Sequence, residues 1–337
     1  MTSLKTDNRI EWIDTMRAFA IVLVLLAHYD GALLSKFANR SCVQMFFFIS
    51  GLFAFSGRYT LGQYVKKQAQ SLLLPYAVFA VINIGFHFVF NPSTPADELA
   101  GFAVNFVLAR RNNVMVAAMW FLPCLFFASI LYKAITVVFK EQKYIVPVCF
   151  AISAVFKLWF EDPVYVFSVN QGLKYLIYIA LGGLLAPYIK NISLESIIKA
   201  GRKQQIAAAA VLAAVSIYIS VLYKRGYVLW PESIWALAVV YFINVVVCIL
   251  FFMAISLAVS KIKPICWVGR NTLGFCCMEN INRALLNTAM ALVGFGFVPD
   301  SEIKALAHII GSMCIGSVII IIINKVCPQL LGKKKIK

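Results

Sequence analysis

The sequence predicts an all-α, polytopic membrane protein, a bundle of about ten transmembrane helices. Hydrophobic residues make up 62% of the 337 residues and charged residues only 13%, and the mean hydropathy is +0.84. Soluble domains are nearer half apolar and a quarter charged. The apolar residues also fall into runs close to the roughly 20 residues that a helix needs to cross a bilayer. We therefore expect residues 1–337 to form a single integral membrane domain, with no soluble catalytic domain.

The apolar runs and the basic loops together predict a topology. Lysine and arginine are concentrated in the loops on one side, which places both termini in the cytoplasm. Residues 58–71 have the pattern of an interfacial amphipathic helix on that side. The longest polar stretch, about Asn91 to Asn113, is too short for a soluble domain. The expected spans are residues 13–34, 43–57, 72–90, 116–139, 144–160, 172–189, 205–223, 233–259, 266–296 and 303–326.

The net charge of +17 does not indicate a nucleic-acid partner. The basic residues are scattered among apolar runs instead of forming one patch, which fits loops beside an anionic membrane surface. The nine cysteines lack metal-ligand spacing, and most lie in apolar stretches as small hydrophobic residues. We interpret His87 and His308 as structural. The sequence thus predicts neither a metal site nor a disulfide framework.

Arg17 and His28 lie on one face of the first apolar segment. Their separation, from position 17 to position 28, is almost three turns of a helix with 3.6 residues per turn. The ten residues between them carry no polar side chain. Ionisable groups inside a membrane span are costly and are usually kept for function. The pair is therefore the first candidate for a catalytic site.

The depth of each group suggests a role. His28 lies about 16 residues into the predicted helix, ~24 Å along its axis, which with tilt is beyond the bilayer midplane. Histidine is the side chain best suited to move a proton near neutral pH, although it can also satisfy a hydrogen bond in a core. Arg17 can pair with Asp14 three residues earlier or extend toward water. Asp30 points away from His28 and is a weaker candidate for orienting the ring.

Other polar residues of the spans have both structural and functional interpretations. Ser50-Gly51 allows a helix or a ligand to approach closely, and packing alone explains it. Trp120 opens the fourth span, where tryptophan is usually an interface anchor. Glu279 and Arg283 are four residues apart in the ninth span, so they can neutralise each other or border a watery cavity.

Five segments together resemble the acyltransferase-3 family of integral membrane O-acyltransferases, including its fucose 4-O-acetylase-like branch. The resemblance covers residues 9 to about 290. The matching segments are Trp12-Ile13-Asp14-Thr15-Met16-Arg17 followed by His28, Phe46-Phe47-Phe48-Ile49-Ser50-Gly51-Leu52, Lys66-Lys67 through Leu72-Leu73-Leu74-Pro75-Tyr76, Trp120-Phe121-Leu122, and Gly269-Arg270-Asn271-Thr272-Leu273.

The resemblance implies transfer of an acetyl or other short acyl group from acetyl-CoA to a hydroxyl of a cell-surface polysaccharide or its lipid-linked precursor. Acetyl-CoA would be a co-substrate, with no permanently bound cofactor, and the protein would lie in the cytoplasmic (inner) membrane of a bacterium. His28 would be a general base or would itself accept the acyl group. The implied site residues are His28, Arg17 and Asp14 for catalysis, Arg58, Lys66, Lys67, Ser50 and Gly51 for the donor, and Asp30, Trp120, Asn271, Glu279 and Arg283 for the acceptor or for support.

The chain departs from the family pattern at three positions. Gln68 and Ser71 stand where many relatives have arginines, and Glu279 stands where a histidine often follows the Gly-Lys-Asn-Ser-Leu segment. These changes affect which acceptor the resemblance implies and which residues contact the donor phosphates. Some relatives also carry an extracytoplasmic hydrolase-like domain, which we do not expect in this chain.

Two alternatives to the enzyme remain open. A transporter or flippase for a lipid-linked glycan would also place charges within the membrane, although no repeated pair of broken helices is visible in the sequence. A relative that has lost catalysis and serves as a partner subunit is the other alternative.

Overall fold

The computed structural model describes residues 10–28, 38, 41–54, 59–111, 116–160, 166–191, 201–224, 234–294 and 302–333. These residues are almost all helical, and none of those described is in a β-strand. The chain is thus an all-α helical bundle, as the sequence predicts.

Fifteen α-helices are assigned within the described ranges. A π-helical turn at Ala69–Leu73 and short 3₁₀ turns at Ala117–Trp120, Val166–Ser168 and Pro328–Leu331 adjoin them. The helices are α1 Glu11–Ala27, α2 Cys42–Ala54, α3 Leu61–Gln68, α4 Leu74–Phe90, α5 Ala96–Leu108, α6 Phe121–Phe139, α7 Gln142–Trp159, α8 Val169–Lys174, α9 Leu176–Asn191, α10 Arg202–Lys224, α11 Ile234–Ala258, α12 Lys263–Arg270, α13 Thr272–Cys277, α14 Glu279–Leu292 and α15 Glu302–Val326.

Four helical segments are long and apolar enough to cross a bilayer, judged by length and composition. In three of them less than a third of the apolar window is buried by protein, which is typical of helices that face lipid, whereas 56% of the window is buried in Ala117–Phe139. The segments are Leu61–Phe90, Ala117–Phe139, Ala238–Ala258 and Glu302–Val326, and shorter apolar helices occur at Cys42–Ala54, Leu176–Tyr188 and Lys203–Val215. The chain is an integral membrane protein, and the count of ten crossings and the cytoplasmic termini stay predictions.

The first helix is shorter than predicted. Helix α1 ends at Ala27, so His28 follows its last turn instead of lying inside a span that runs to residue 34. The sequence after His28 contains Asp30-Gly31, a dipeptide that favours turns. Asp30 itself lies outside the described residues.

The predicted interfacial helix and the third span form one continuous element. Thr60 and Gln63 make a capping box at the start of α3, which fixes where the helix begins. The π-helical turn then joins α3 to α4, giving a 30-residue helix from Leu61 to Phe90. The amphipathic segment is therefore rigidly connected to the span that follows.

The predicted ninth span is not one helix. It is divided into α12, α13 and α14 by breaks at Asn271 and Met278, whose φ values of −119° and −102° depart from helical geometry. Asparagine side chains support both breaks: Asn271 donates to the Trp267 carbonyl at 2.7 Å, and Asn83 of α4 donates to the Cys277 carbonyl at 3.1 Å. Carbonyls that lose a helical partner in a membrane need such replacement donors.

The polar stretch from about Asn91 to Asn113 contains a helix. Helix α5 occupies Ala96–Leu108, with Asp97 and Glu98 in its first turn, where acidic side chains favour the helix dipole. It follows Asn91 and the turn after it, and its Phe106 is buried in the core. The stretch between the predicted third and fourth spans is therefore partly helical.

The centre of the bundle is held by two close helix crossings. Helix α2 packs on α9, where a Cβ added to Gly51 would overlap the Ile179 carbonyl and one on Gly182 would overlap the Phe48 carbonyl. Helix α1 packs on α12 in the same way, at Gly269. Small residues at such crossings let membrane helices pack backbone to backbone.

Candidate functional site

A cavity of about 520 Å³ lies between α1, α2, α3, α6 and the start of α13. Its walls are mostly apolar, including the side chains of Phe46, Phe53 and Phe121. Three cations line it, Arg17, Lys67 and Arg270, along with several hydroxyl and amide groups. The cavity therefore combines an apolar wall with a basic region.

Asp14 joins two arginines from distant parts of the sequence. Its Oδ1 lies 3.4 Å from Arg17 Nη1, as the spacing on α1 predicts, and its Oδ2 accepts a hydrogen bond from Arg270 Nε at 3.0 Å. The Asp14 side chain is 7% exposed, whereas Arg17 and Arg270 are 33% and 39% exposed. The carboxylate is buried and fixed, and the two guanidinium groups reach into the cavity.

Gly269 explains how Arg270 reaches Asp14. A Cβ at position 269 would overlap the backbone carbonyl of Asp14, so only glycine lets α12 approach α1 this closely. Thr15 and Cys266 meet at the same crossing, with 3.5 Å between Oγ1 and Sγ. Gly269 thus allows α12 to approach α1 closely, and Arg270 then lies near enough to pair with Asp14.

Asn271 lies at the break between α12 and α13, directly after Arg270. Its amide nitrogen donates to Trp267, and its Oδ1 accepts from Asn324 Nδ2 at 2.9 Å and from Lys333 Nζ at 2.6 Å. Lys333 also donates to Asn324 Oδ1 at 2.8 Å. Asn271 is 3% exposed and is not among the residues that line the cavity. Its amide nitrogen and oxygen thus have structural partners, and its role at the acceptor stays a prediction.

Replacing Lys333 with methionine should lower the stability of the protein by about 1–2 kcal/mol, because two amide oxygens lose a charged donor that is itself partly exposed. Thermal unfolding in detergent measures the change. Lys325, on the same C-terminal part of the chain, serves as the control in Lys325→Met. An unchanged melting temperature for Lys333→Met would show that the contacts to Asn271 and Asn324 contribute nothing.

Hydroxyl groups from α2, α3 and α6 meet at or beside the cavity wall. Ser50 Oγ lies 3.1 Å from Ser129 Oγ, and the Tyr64 hydroxyl interacts with both serines. Gln68 Nε2 donates to the Tyr64 hydroxyl at 2.7 Å, and Gln68 accepts from the Ser71 hydroxyl. Gln68 and Ser71, which depart from the family pattern, therefore belong to a polar network beside the cavity.

His28 lies at the far end of α1 from the cavity. Its Nδ1 is 2.7 Å from the Val24 carbonyl oxygen, and because a carbonyl can only accept, Nδ1 carries the proton of this bond. In a neutral ring Nε2 is then the basic nitrogen. The side chain is half-buried and does not line the cavity. The eleven positions from Arg17 to His28 correspond to ~16 Å along the helix.

The predicted donor-binding residues do not all lie at the cavity. Lys67 lines it and also lies over the Tyr59 ring, with 4.4 Å from Nζ to the ring centroid. The neighbouring Lys66 is exposed and is not a lining residue. Arg58 lies outside the described residues. Gly51 packs against α9, which agrees with a packing role, although Ser50 beside it lines the cavity.

The predicted supporting residues form a second polar region. Glu279 is 5% exposed, and its Oε1 lies 3.7 Å from Arg283 Nη1, as their spacing predicts. Glu279 Oε2 and both amide atoms of Asn282 are buried and have no hydrogen-bond partner among the described residues. Trp120 is buried and packs against Arg111, with 5.1 Å from the guanidinium carbon to the ring centroid. None of these residues lines the cavity.

Sequence reasoning missed Arg270, Tyr64 and Ser129 as parts of the site. Arg270 had a usable signal, because it is a cation in an apolar stretch with no acidic residue three or four positions away on either side. A cation in such a position needs a partner on another helix, and that need could have identified Arg270. Ser129 and Tyr64 carry no comparable signal, since single hydroxyls are common in membrane helices.

The fold and this cavity together define a class of protein: a helical integral membrane protein with a positively charged cavity. A family model described as an acyltransferase domain, that of acyltransferase-3, matches residues 10–323. The chain belongs to this family and is a membrane acyltransferase. No curated protein and no solved structure matches it. The fucose 4-O-acetylase-like branch stays a prediction.

Proposed function

We propose that this chain transfers an acetyl or other short acyl group from acetyl-CoA to a hydroxyl of a cell-surface glycan or its lipid-linked precursor. The supporting observation is the charge of the cavity, where Arg17, Lys67 and Arg270 are balanced by Asp14 alone among the described lining residues. Coenzyme A carries phosphates at one end, and guanidinium and ammonium groups are the side chains that bind phosphate. The family membership supplies the acyl chemistry.

The predicted topology gives the cavity a direction. With the N-terminus in the cytoplasm, the first turns of α1 and the amphipathic helix α3 lie on the side where acyl-CoA is found. Lys67 and Arg270 then bind the nucleotide phosphates near this surface. The apolar walls at Phe46 and Phe121 receive the pantetheine arm deeper in the membrane.

The hydroxyl cluster would hold the arm in place. Ser50 and Gln68 line the cavity within the network centred on Tyr64. Pantetheine contains two amides and a thioester carbonyl, each of which needs a donor or an acceptor in an apolar site.

His28 would act as the general base at the other end of α1. The acceptor oxygen attacks the thioester carbonyl carbon while its proton moves to His28 Nε2, which the Nδ1 bond to Val24 leaves as the basic nitrogen. The carbon–sulfur bond then breaks, and the departing thiolate takes the proton to give coenzyme A. The ~16 Å from Arg17 to His28 is a length that an extended pantetheine arm can span.

Glu279 is the proposed support on the acceptor side. Its buried Oε2 and the amide of Asn282 lack partners among the described residues, so they can accept and donate hydrogen bonds to a sugar or to water. Arg283, which is 34% exposed, forms an ion pair with the other carboxylate oxygen, Oε1, at 3.7 Å.

Two adjacent lysines test the donor assignment. In lipid nanodiscs, Lys67→Gln should weaken acetyl-CoA binding by about three- to tenfold because one contact between a phosphate and a cation is lost. Lys66→Gln is the matched control and should bind as the wild type does, since Lys66 does not line the cavity. Isothermal titration of acetyl-CoA measures both.

Equal affinities for the two variants would show that the phosphates do not bind in this cavity. If the wild-type protein neither binds acetyl-CoA nor releases coenzyme A when glycan is present, the proposed transfer from acetyl-CoA to a glycan is overturned.

A further inference from the structure

A pair of stacked aromatic rings lies at one end of the cavity between α1, α2 and α6. The centroids of the Phe46 and Phe121 rings are 5.3 Å apart, with an interplanar angle of 29°. These side chains are only 8% and 5% exposed, whereas Phe53, which lines the same cavity, is 47% exposed. The cavity therefore has an open end beside Phe53 and a closed end at the two rings.

The lining residues of three helices stop at the level of these rings. Phe46 and Phe121 are the first residues of α2 and α6 that line the cavity. Arg17 is the last lining residue among those described in α1. Beyond it α1 packs in the apolar core, where Ile21 and Val24 are at most 2% exposed. The two rings thus form part of the floor of the cavity.

The register of α1 and α2 gives the depth of this floor. The Arg17 guanidinium lies over the Phe53 ring, with 5.6 Å from Cζ to the ring centroid. Phe46 precedes Phe53 by two turns of helix, ~10 Å along α2. The two helices are consecutive neighbours and run antiparallel, so this distance leads from Arg17 toward His28. His28 is ~16 Å from Arg17 along α1, which places the rings ~6 Å short of it.

The remaining length fits one acceptor hydroxyl. An attacking oxygen lies roughly 3–3.5 Å from the carbonyl carbon before reaction, and its hydrogen bond to a general base is about 2.6–3.2 Å long. Together these distances are about 6 Å. A thioester carbonyl at the level of the rings therefore leaves room for the hydroxyl oxygen between it and His28. In that position the acyl group lies against Phe46 and Phe121.

We propose that Phe46 and Phe121 set the length of the acyl group that this protein accepts. The inference rests on the proposed function and names the residues that restrict its donor to acetyl or another short acyl group. An acetyl group ends at the rings, whereas a hexanoyl group has to displace two buried, stacked side chains. Inserting extra methylene groups into a packed apolar site forces side chains and backbone to shift, which weakens binding.

The test compares acetyl-CoA with hexanoyl-CoA, by isothermal titration of purified full-length protein in lipid nanodiscs without an acceptor. The wild type should bind acetyl-CoA at least ten times more tightly. Phe46→Ala and Phe121→Ala should each lower this ratio to threefold or less, because the space of the lost ring admits the longer chain. Both donors carry the same phosphates, so a general loss of affinity cancels in the ratio.

Phe53→Ala is the matched control, because it removes a ring from the open end of the same cavity. It should act on both donors alike and leave the ratio at the wild-type value. If neither alanine variant of the floor binds acetyl-CoA, Phe121→Leu takes their place, since it keeps an apolar side chain there. It should lower the ratio at least threefold.

The outcomes separate this inference from the proposed function. Equal binding of the two donors to the wild type overturns the inference. A wild-type ratio in the floor variants that bind acetyl-CoA does the same, as does an equal fall of the ratio in Phe53→Ala. A wild-type protein that binds neither donor counts instead against the proposed function.

Discussion

Replacing His28 with alanine is expected to reduce acyl transfer by about 10²- to 10⁴-fold, the usual contribution of a general base. Acetyl-CoA binding should stay close to wild type, because His28 does not line the donor cavity. The rate is measured as release of coenzyme A thiol with saturating donor and acceptor. His87→Ala serves as the control, since His87 contacts Thr94 and Phe102 on another part of the bundle.

A second variant separates catalysis from structure at this position. His28→Asn keeps a side-chain donor near the Val24 carbonyl but has no basic nitrogen, so it should fold as the wild type does and remain inactive. Activity near that of the wild type in His28→Asn would mean that His28 only caps the end of α1. The base would then have to be sought elsewhere.

The second large effect is expected from Gly269→Val. The added side chain overlaps the Asp14 carbonyl, so α12 must move away from α1, at a cost of about 1–3 kcal/mol or more. The movement separates Arg270 from Asp14, and a displacement of about 1 Å at a positioned group can lower a rate by about 10²-fold. Thermal unfolding and thiol release measure the two consequences.

Gly85→Ala is the matched control for this prediction. Gly85 is also a helical glycine, in α4, but a Cβ there meets no heavy atom within 4 Å. The change should be neutral or stabilising by up to ~1 kcal/mol, because alanine favours the helix. A Gly269→Val protein with normal activity would refute the claim that this crossing positions Arg270.

The local parts of the site could be predicted from the sequence. The pairs Asp14–Arg17 and Glu279–Arg283 follow from helical spacing alone and were confirmed. The helices themselves follow from apolar runs of sufficient length. Boundaries were less certain, as the end of α1 at Ala27 shows.

Contacts between distant helices could not be predicted in the same way. The bond from Arg270 to Asp14 joins residues 256 positions apart, and it depends on a crossing that only the packed bundle defines. The breaks at Asn271 and Met278 escaped detection because hydropathy measures composition and carries no information on backbone hydrogen bonds. Helix α5 carried visible signals, with Pro95 before Asp97 and Glu98, but its 13 residues are too few to cross a bilayer, so hydropathy did not mark it as a span.

The continuous helix from Leu61 to Phe90 makes one wall of the donor cavity dependent on the thickness of the membrane. At 1.5 Å per residue its 30 residues measure ~45 Å, more than the ~30 Å of the hydrocarbon core. The excess has to be accommodated by tilt or by extension into the headgroups. Tyr64 and Leu72 belong to this helix and line the cavity, so lipids that change the tilt of the helix also change the shape of the cavity. Membrane composition is thereby coupled mechanically to the shape of the cavity proposed to bind the acyl donor.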